Sequence, residues 1–472
     1  MSQVNRPLTP VRLSTFEGAP GRRLQPFHEL RRAVASCLLW EDSFYESGQS
    51  IADRIKALVN GPDIAATDIM ALAIEAREQF KLRHVPLLLV RELLRFKGPK
   101  HGLADTIARV IQRPDEITEL LAIYWSDAKG LDGRRRMLPK QLKKGLAKAF
   151  QKFNAYSLAK YNRDNAVKLR DALFLCHPRP ICVEATEMPE LGQPINKPSY
   201  KRGSTLRHYT GQGAVWTQLV NNQLPAPDTW EVELSAGKDK RETFERLLRE
   251  QKLGDLALLR NLRNMAEAHV DTALVYQAFA NRKWERILPY RFIAAARAAP
   301  QFEGLLDGAM QVCMTSLPKL SGRTIVLVDG SGSMRDKLSA KSDLTRFDAA
   351  CGLAILARGL SNDGGCEVMV FSVRLFEVPS RQGMALRDAI ASKAEWSGTN
   401  LGAAVTYINQ FNYDRLIVVT DEQSHDSVPA PRGQGYMLNV ASYQPSIAFG
   451  PWVSISGWSE SSIRFIQEYE KL

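Results

Sequence analysis

The sequence has no hydrophobic run long enough to cross a bilayer. Met1 to Arg12 lacks the apolar core of a secretory leader, so a cytoplasmic chain without a membrane partner is expected. Cysteine is sparse: Cys37, Cys176, Cys182, Cys313, Cys351 and Cys366 are scattered, with no CxxC spacing. That excludes a disulfide framework or a zinc ribbon and fits reduced thiols. No Ser-His-Asp or Cys-His arrangement has supporting context, and the chain is not expected to be an enzyme. The turn Gly330-Ser331-Gly332-Ser333-Met334-Arg335 lacks the third glycine of a dinucleotide loop, because Arg335 stands in its place. It also lacks the Gly-Lys-Ser/Thr of a phosphate-binding loop.

Acidic residues are nearly missing from one stretch. Between Leu131 and Arg170 twelve basic residues (Arg134, Arg135, Arg136, Lys140, Lys143, Lys144, Lys148, Lys152, Lys160, Arg163, Lys168 and Arg170) meet two acids, Asp132 and Asp164. From Arg323 onward 14 basic residues face 16 acidic ones, a net −2, so the first 322 residues carry +14 against the whole chain's +12. An anionic partner is expected for that part alone. Lys140, Lys144 and Lys148 recur every four residues while Leu142, Leu146 and Phe150 face elsewhere. One helix can thus bury an apolar stripe and present a row of ammonium groups to phosphates. Lys140, Lys143, Lys144, Lys148, Lys160 and Arg163 are the candidate nucleic-acid contacts, and Phe153, Tyr156 and Tyr161 lie among them as candidates for stacking on bases. The competing reading is a solvated lysine face over core aromatics.

What is present at the other end is a buried strand with oxygen donors. Ile325-Val326-Leu327-Val328 reads as a strand covered on both faces, and Asp329, Ser331 and Ser333 follow at alternate positions. Carboxylate and hydroxyl oxygens at a strand's carboxyl end suit Mg²⁺, with Mn²⁺ as the second choice, and disfavour zinc. Two later segments supply further oxygens: Thr399 just before a helix, and Asp421 after the apolar run Leu416-Ile417-Val418-Val419-Thr420. The set Asp329, Ser331, Ser333, Thr399 and Asp421 would leave a coordination position for an acidic group from a partner.

The pattern divides the chain into an extended arm at 1–25, a helical region at 26–320 with a loop-rich insertion at about 178–230, and an α/β domain at 321–472. Helices are expected at His28–Leu39, Ile51–Val59, Ala65–Phe80, Val85–Arg95, Leu103–Ile111 and Pro114–Trp125, with Asp63 or Thr67 and later Asp115 near helix starts. In the last domain strands are expected at 325–329, 366–372, 375–378, 415–420, 437–442 and 452–457, with helices at 345–360, 383–393, 401–410 and 460–470, which makes a doubly wound parallel sheet.

Asp329-x-Ser331-x-Ser333 with Thr399 and Asp421 resembles the metal-ion-dependent adhesion site (MIDAS) of a von Willebrand factor A (vWA) domain. Together with Leu158–Arg163, Leu173–Pro178, Leu256–Met265 and Pro289–Phe292, it makes the chain similar to the Ro family, the autoantigen and its bacterial orthologues. These are TROVE-module proteins that bind Y RNA. The resemblance implies a monomeric ring of HEAT-like α-helical repeats followed by a Rossmann-like vWA domain. It also implies Y RNA on a basic outer surface and single-stranded ends of misfolded noncoding RNA in the ring, for RNA quality control in a ribonucleoprotein. By position Lys160 and His177 fall on Y RNA contacts, and Lys140, Lys143 and Lys144 in the basic helix. An exoribonuclease is a partner implied by bacterial relatives. Arg202 and Arg207 are proposed from charge alone. The alternative is a metal-dependent adaptor whose basic helices bind an acidic protein.

Overall fold

A computed structural model describes residues 25–36, 48–96, 98–126, 136–164, 166–180, 212–280, 282–284, 287, 289–315, 317–338, 344–362, 364–421, 424, 426–441, 451–456 and 461–471. The expected arm before residue 25, Arg134, Arg135, Arg202 and Arg207 lie outside them. The described residues from 56 to 228 form one compact unit, and those up to 55 together with those from 229 onward form another. No described helix is long and apolar enough to cross a membrane.

The chain opens with α1 (Pro26–Ser36) and α2 (Gly48–Val59). The unit of 56–228 holds α3 (Ala66–Glu78), α4 (His84–Arg95), α5 (Leu103–Val110), α6 (Pro114–Trp125), α7 (Lys140–Phe150), α8 (Ala155–Tyr161), α9 (Leu169–Cys176) and α10 (Gln212–Val220). Each packs on near neighbours in sequence: α3 on α4 and α5, α4 on α6, α5 on α7, and α7 on α9. That is how short amphipathic helices bury apolar stripes they cannot cover alone. Between the helices sits a charged core. Arg77 meets the buried Glu116 at 2.5 Å, Arg83 meets Asp115 at 2.8 Å, and Arg113 meets Asp115 at 2.5 Å.

One expected cap is absent, one expected helix-start acid is in place, and the expected insertion holds a helix. The residue before α3 is Ala65, with no side-chain cap, so neither Asp63 nor Thr67 caps it. At α6 it is Glu116 that reaches back, accepting from the backbone N–H of Gln112 at 2.8 Å and Arg113 at 3.1 Å, with Asp115 in the first turn. Residues 212–220, inside the expected insertion, form α10 with Trp216 and Leu219 buried. The helix occupies the proline-free interval between Pro198 and Pro225.

The other unit continues with α11 (Trp230–Ser235), α12 (Lys240–Arg249), α13 (Asp255–Glu267), α14 (Thr272–Ala280), α15 (Tyr290–Ala298) and α16 (Glu303–Thr315). The α/β part follows as β1 (Thr324–Asp329), α17 (Arg346–Gly359), β2 (Cys366–Phe371), β3 (Leu375–Glu377), α18 (Gly383–Ala391), α19 (Leu401–Ile408), β4 (Arg415–Thr420), β5 (Gln434–Asn439), β6 (Trp452–Ser456) and α20 (Ser461–Tyr469). β5 starts three positions before the expected 437, because Gln434 and Gly435 pair with β4 despite carrying no apolar signal.

The sheet order is β3-β2-β1-β4-β5-β6, parallel except for the short edge strand β3. β1 and β4 are buried along their whole length, as a sheet covered on both faces requires. At the far edge α1 packs on β6 and α20. There Arg32 donates to the Ser454 carbonyl at 3.1 Å, and the Ser461 hydroxyl donates to the Ala35 carbonyl at 3.2 Å. Because β1 connects onward to β2 on one side and its other neighbour is β4, the β1/β4 junction is the topological switch point, where open α/β sheets bind ligands.

Candidate functional site

The expected oxygen donors converge on that switch point. Asp329 ends β1, and Val328 pairs with Val419, so Asp421 lies one residue past the register partner of Asp329 on the adjacent strand. Both carboxylates are fully buried. Asp329 Oδ1 accepts the Ser331 N–H at 2.8 Å, and Oδ2 accepts the Thr420 hydroxyl at 2.6 Å. The Ser331 and Ser333 hydroxyls are 3.3 Å apart. Gly330 makes the turn feasible, because a Cβ there would sit 2.9 Å from Val370 Cγ1 and 3.2 Å from Ala394 Cα.

The loop carrying Thr399 is tied to this turn by the backbone. Trp396 N–H donates to the Gly330 carbonyl at 2.9 Å, and Gly332 N–H donates to the Ser397 carbonyl at 3.1 Å. Thr399 is buried within that loop, and Ser333 is half-buried. Beyond Asp421, Asp426 accepts the backbone N–H groups of Gly402 at 2.9 Å and Ala403 at 2.8 Å, at the start of α19. The segment after β4 is thereby fixed to the helix that follows Thr399. Burial lifts the Asp329 carboxyl to about 6; the Thr420 hydroxyl opposes the rise and the neighbouring Asp421 charge adds to it.

The donors placed at the ends of β1 and β4 are oxygens: two buried carboxylates and the Ser331 and Ser333 hydroxyls, with Thr399 in the tied loop. That donor chemistry fits a hard divalent cation. Two residues were missed in the sequence. Thr420 orients Asp329, and its hydroxyl at the end of an otherwise apolar strand was the available signal. Arg346, at the start of α17, brings Nη1 within 3.4 Å of Asp421 Oδ2.

The basic candidates lie on α7, α8 and α9. Lys140, Lys144 and Lys148 are exposed, Lys143 is half-buried, and Leu142, Leu146 and Phe150 are buried, as the spacing predicts. Lys148 is engaged by the Asp105 carboxylate of α5. Lys160 is half-buried with Nζ 5.9 Å above the Tyr161 ring, which also faces the Arg113 guanidinium at 4.5 Å. Arg163 is exposed. His177 caps α9 in a left-handed conformation (φ 49°), exposed, with its N–H donating to the Leu173 carbonyl at 3.0 Å.

The aromatic candidates separate. Phe153 is buried and belongs to the core, so it offers no face to a base. Tyr156 is 46% exposed and Tyr161 half-buried. Phe174 on α9, 51% exposed, is an aromatic surface that the charge pattern did not single out.

The close approach of α7 to α5 depends on Gly145. A Cβ there would lie 2.5 Å from Ile107 Cβ and 3.0 Å from the Ala104 carbonyl. On an isolated helix Gly→Ala gains about 1 kcal/mol, but overpacking of this kind costs about 1–3 kcal/mol. Gly145→Ala is therefore expected to lower the thermal midpoint, and an unchanged or raised midpoint would show that the helices can separate at little cost.

Residues 220–336 match the TROVE domain. Telomerase protein component 1 of Mus musculus is 25% identical over 331 residues, covering 58% of this chain and 12% of that protein. The Rattus norvegicus protein of the same name is 22% identical over 331 residues with the same coverage. The chain thus spans about an eighth of the length of these curated relatives. The crystal structure of the RO (RSR) protein of Deinococcus radiodurans superposes with a TM-score of 0.63 at 18% identity, over 94% of this chain and 99% of that one. That likeness shows the fold: helical repeats joined to a vWA-like α/β domain.

Proposed function

We infer, from a chain that carries a TROVE domain and has the fold of a Ro protein, that it is an RNA-binding scaffold of the Ro type. The observation that carries this reading is the row of exposed lysines on α7, set in a stretch almost free of acids. Ammonium groups spaced along one helix face release counterions from a phosphate backbone when RNA binds. Exposed Tyr156 and Phe174 add surfaces for stacking on unpaired bases. The finer reading is that Y RNA is held by the basic helices and that misfolded noncoding RNAs with single-stranded ends are the clients, in cytoplasmic RNA quality control with an exoribonuclease as partner.

The switch-point oxygens are read as a Mg²⁺ site, with Asp329, Ser331, Ser333, Thr399 and Asp421 as its holders, some through water. A bound dication would offset the two buried carboxylates and offer a coordination position to an acidic group of a partner. We assign no catalytic step to it, since the ligand set leaves no general base beside it.

The test is copurification. The protein is drawn from its native cells with and without ribonuclease treatment, and the bound nucleic acid is sequenced. Discrete, structured small RNAs enriched over a control protein of equal charge are expected. Enrichment of an acidic protein that survives ribonuclease would instead favour the adaptor reading.

A further inference from the structure

Arg346 is the first residue of α17, a position where the helix dipole disfavours a cation. Its side chain is only 7% exposed and turns back toward the switch point. Nη1 lies 3.4 Å from Asp421 Oδ2 and donates to the Ser333 carbonyl at 3.2 Å. The same nitrogen is 3.4 Å from Asp336 Oδ2, and the Arg346 backbone N–H donates to the Asp336 carbonyl at 2.9 Å. One guanidinium therefore touches both a carboxylate of the metal set and the turn that carries its serine hydroxyls.

We propose that Arg346 is a tethered counter-cation of the divalent-metal site, competing with the ion for Asp421 and holding the site in its metal-free form. This rests on the metal reading above. Asp329 and Asp421 are both fully buried, and buried charge persists only when paired. The guanidinium supplies a single positive charge, shared between the buried Asp421 and the exposed Asp336. A dication held by Asp329 and Asp421 would supply two charges, and it would compete with the guanidinium for Asp421. A competing cation or a movement of the turn releases the guanidinium. Its bond to the Ser333 carbonyl makes that release a movement of the turn as well. The site thus follows the free divalent concentration instead of retaining an ion permanently.

The test titrates Mn²⁺, by electron paramagnetic resonance, and Mg²⁺, by calorimetry, into the full chain. Wild type, Arg346→Met and Arg346→Lys are compared, with Asp329→Asn as the ligand-deficient control, and thermal unfolding is followed with and without metal. Arg346→Met is expected to bind Mn²⁺ at least about tenfold more tightly than wild type, given the coupling typical of close charge pairs. It should also unfold at a lower temperature without metal and recover when metal is added. Equal or weaker binding by Arg346→Met, with wild type binding, overturns the proposal and leaves the metal site standing. Should the Met variant not fold, Arg346→Lys decides: the ammonium lacks the planar guanidinium whose Nη1 meets both Asp421 and the Ser333 carbonyl, so tighter Mn²⁺ binding supports competition, and equal or weaker binding overturns it. No binding by wild type or either arginine variant would overturn the metal site and the proposal together.

Discussion

Changing Lys140, Lys144 and Lys160 to Ala in one chain is expected to weaken RNA binding on the order of a hundredfold near physiological salt, and to flatten the salt dependence by about two to three phosphate contacts. Lys140 and Lys144 are exposed on α7, and no ion pair is formed by them among the described residues. Their removal should leave the fold intact, which makes binding the clean readout. Lys148→Ala is the internal comparison: its ammonium already meets Asp105, so it has less to give to a phosphate and its loss should matter less. His177 needs separate handling. Its left-handed backbone makes Ala itself strained there, so His177→Gly removes the ring without that penalty. The measurement is RNA affinity of the purified chain at several salt concentrations. An unchanged slope in the triple variant would move the RNA off α7 and α8.

The largest stability effect is expected at Arg415. It begins β4, is only 2% exposed, and its guanidinium spans several elements. Nε donates to Glu470 Oε1 at 2.8 Å, Nη2 contacts Glu470 Oε2, and Nη1 donates to the Ser321 carbonyl at 3.0 Å and to Thr324 Oγ1 at 2.8 Å. The Tyr436 hydroxyl donates to the same Glu470 Oε1 at 2.9 Å. Arg415→Ala leaves a mostly buried carboxylate and several acceptors without their donor, a loss of about 3–5 kcal/mol by comparison with other broken buried pairs. Pairing it with Glu470→Gln should return part of that loss, because the stranded charge is gone. Denaturant unfolding of the single and double variants checks this. A single variant within 1 kcal/mol of wild type, as an order of magnitude for a surface pair, would mean that water replaces the guanidinium.

The α7 lysines and Arg415 differ in how much of their setting is written locally in the chain. The strands β1 and β4 were legible because a sheet buried on both faces demands continuous apolar runs rich in β-branched residues, and a carboxylate interrupts the pattern at the end of β1 and just past the end of β4. The lysine face of α7 was legible because period and charge agree. Buried charge was not. Arg346, Arg415 and Glu116 look like surface residues in a chain, since nothing local records that a partner 75, 55 or 39 positions away will meet them. Phe153 failed for the same reason in reverse: its basic neighbours suggested a surface that packing turned inward. The antiparallel course of β3 and the placement of α1 beside β6 depend on long-range pairing that no window of sequence contains.

The docking of α1 has a temporal consequence. Its contact with Ser454 joins residues 422 positions apart. A ribosome adding ~5–20 residues per second needs roughly 20–80 s to make the partner after making the helix. Throughout that interval Leu30, Ala33 and Val34, fully sequestered in the finished protein, have no β6 or α20 to lie against. Made well before its partner, α1 must therefore wait as an uncovered amphipathic helix until the sheet's last strand arrives.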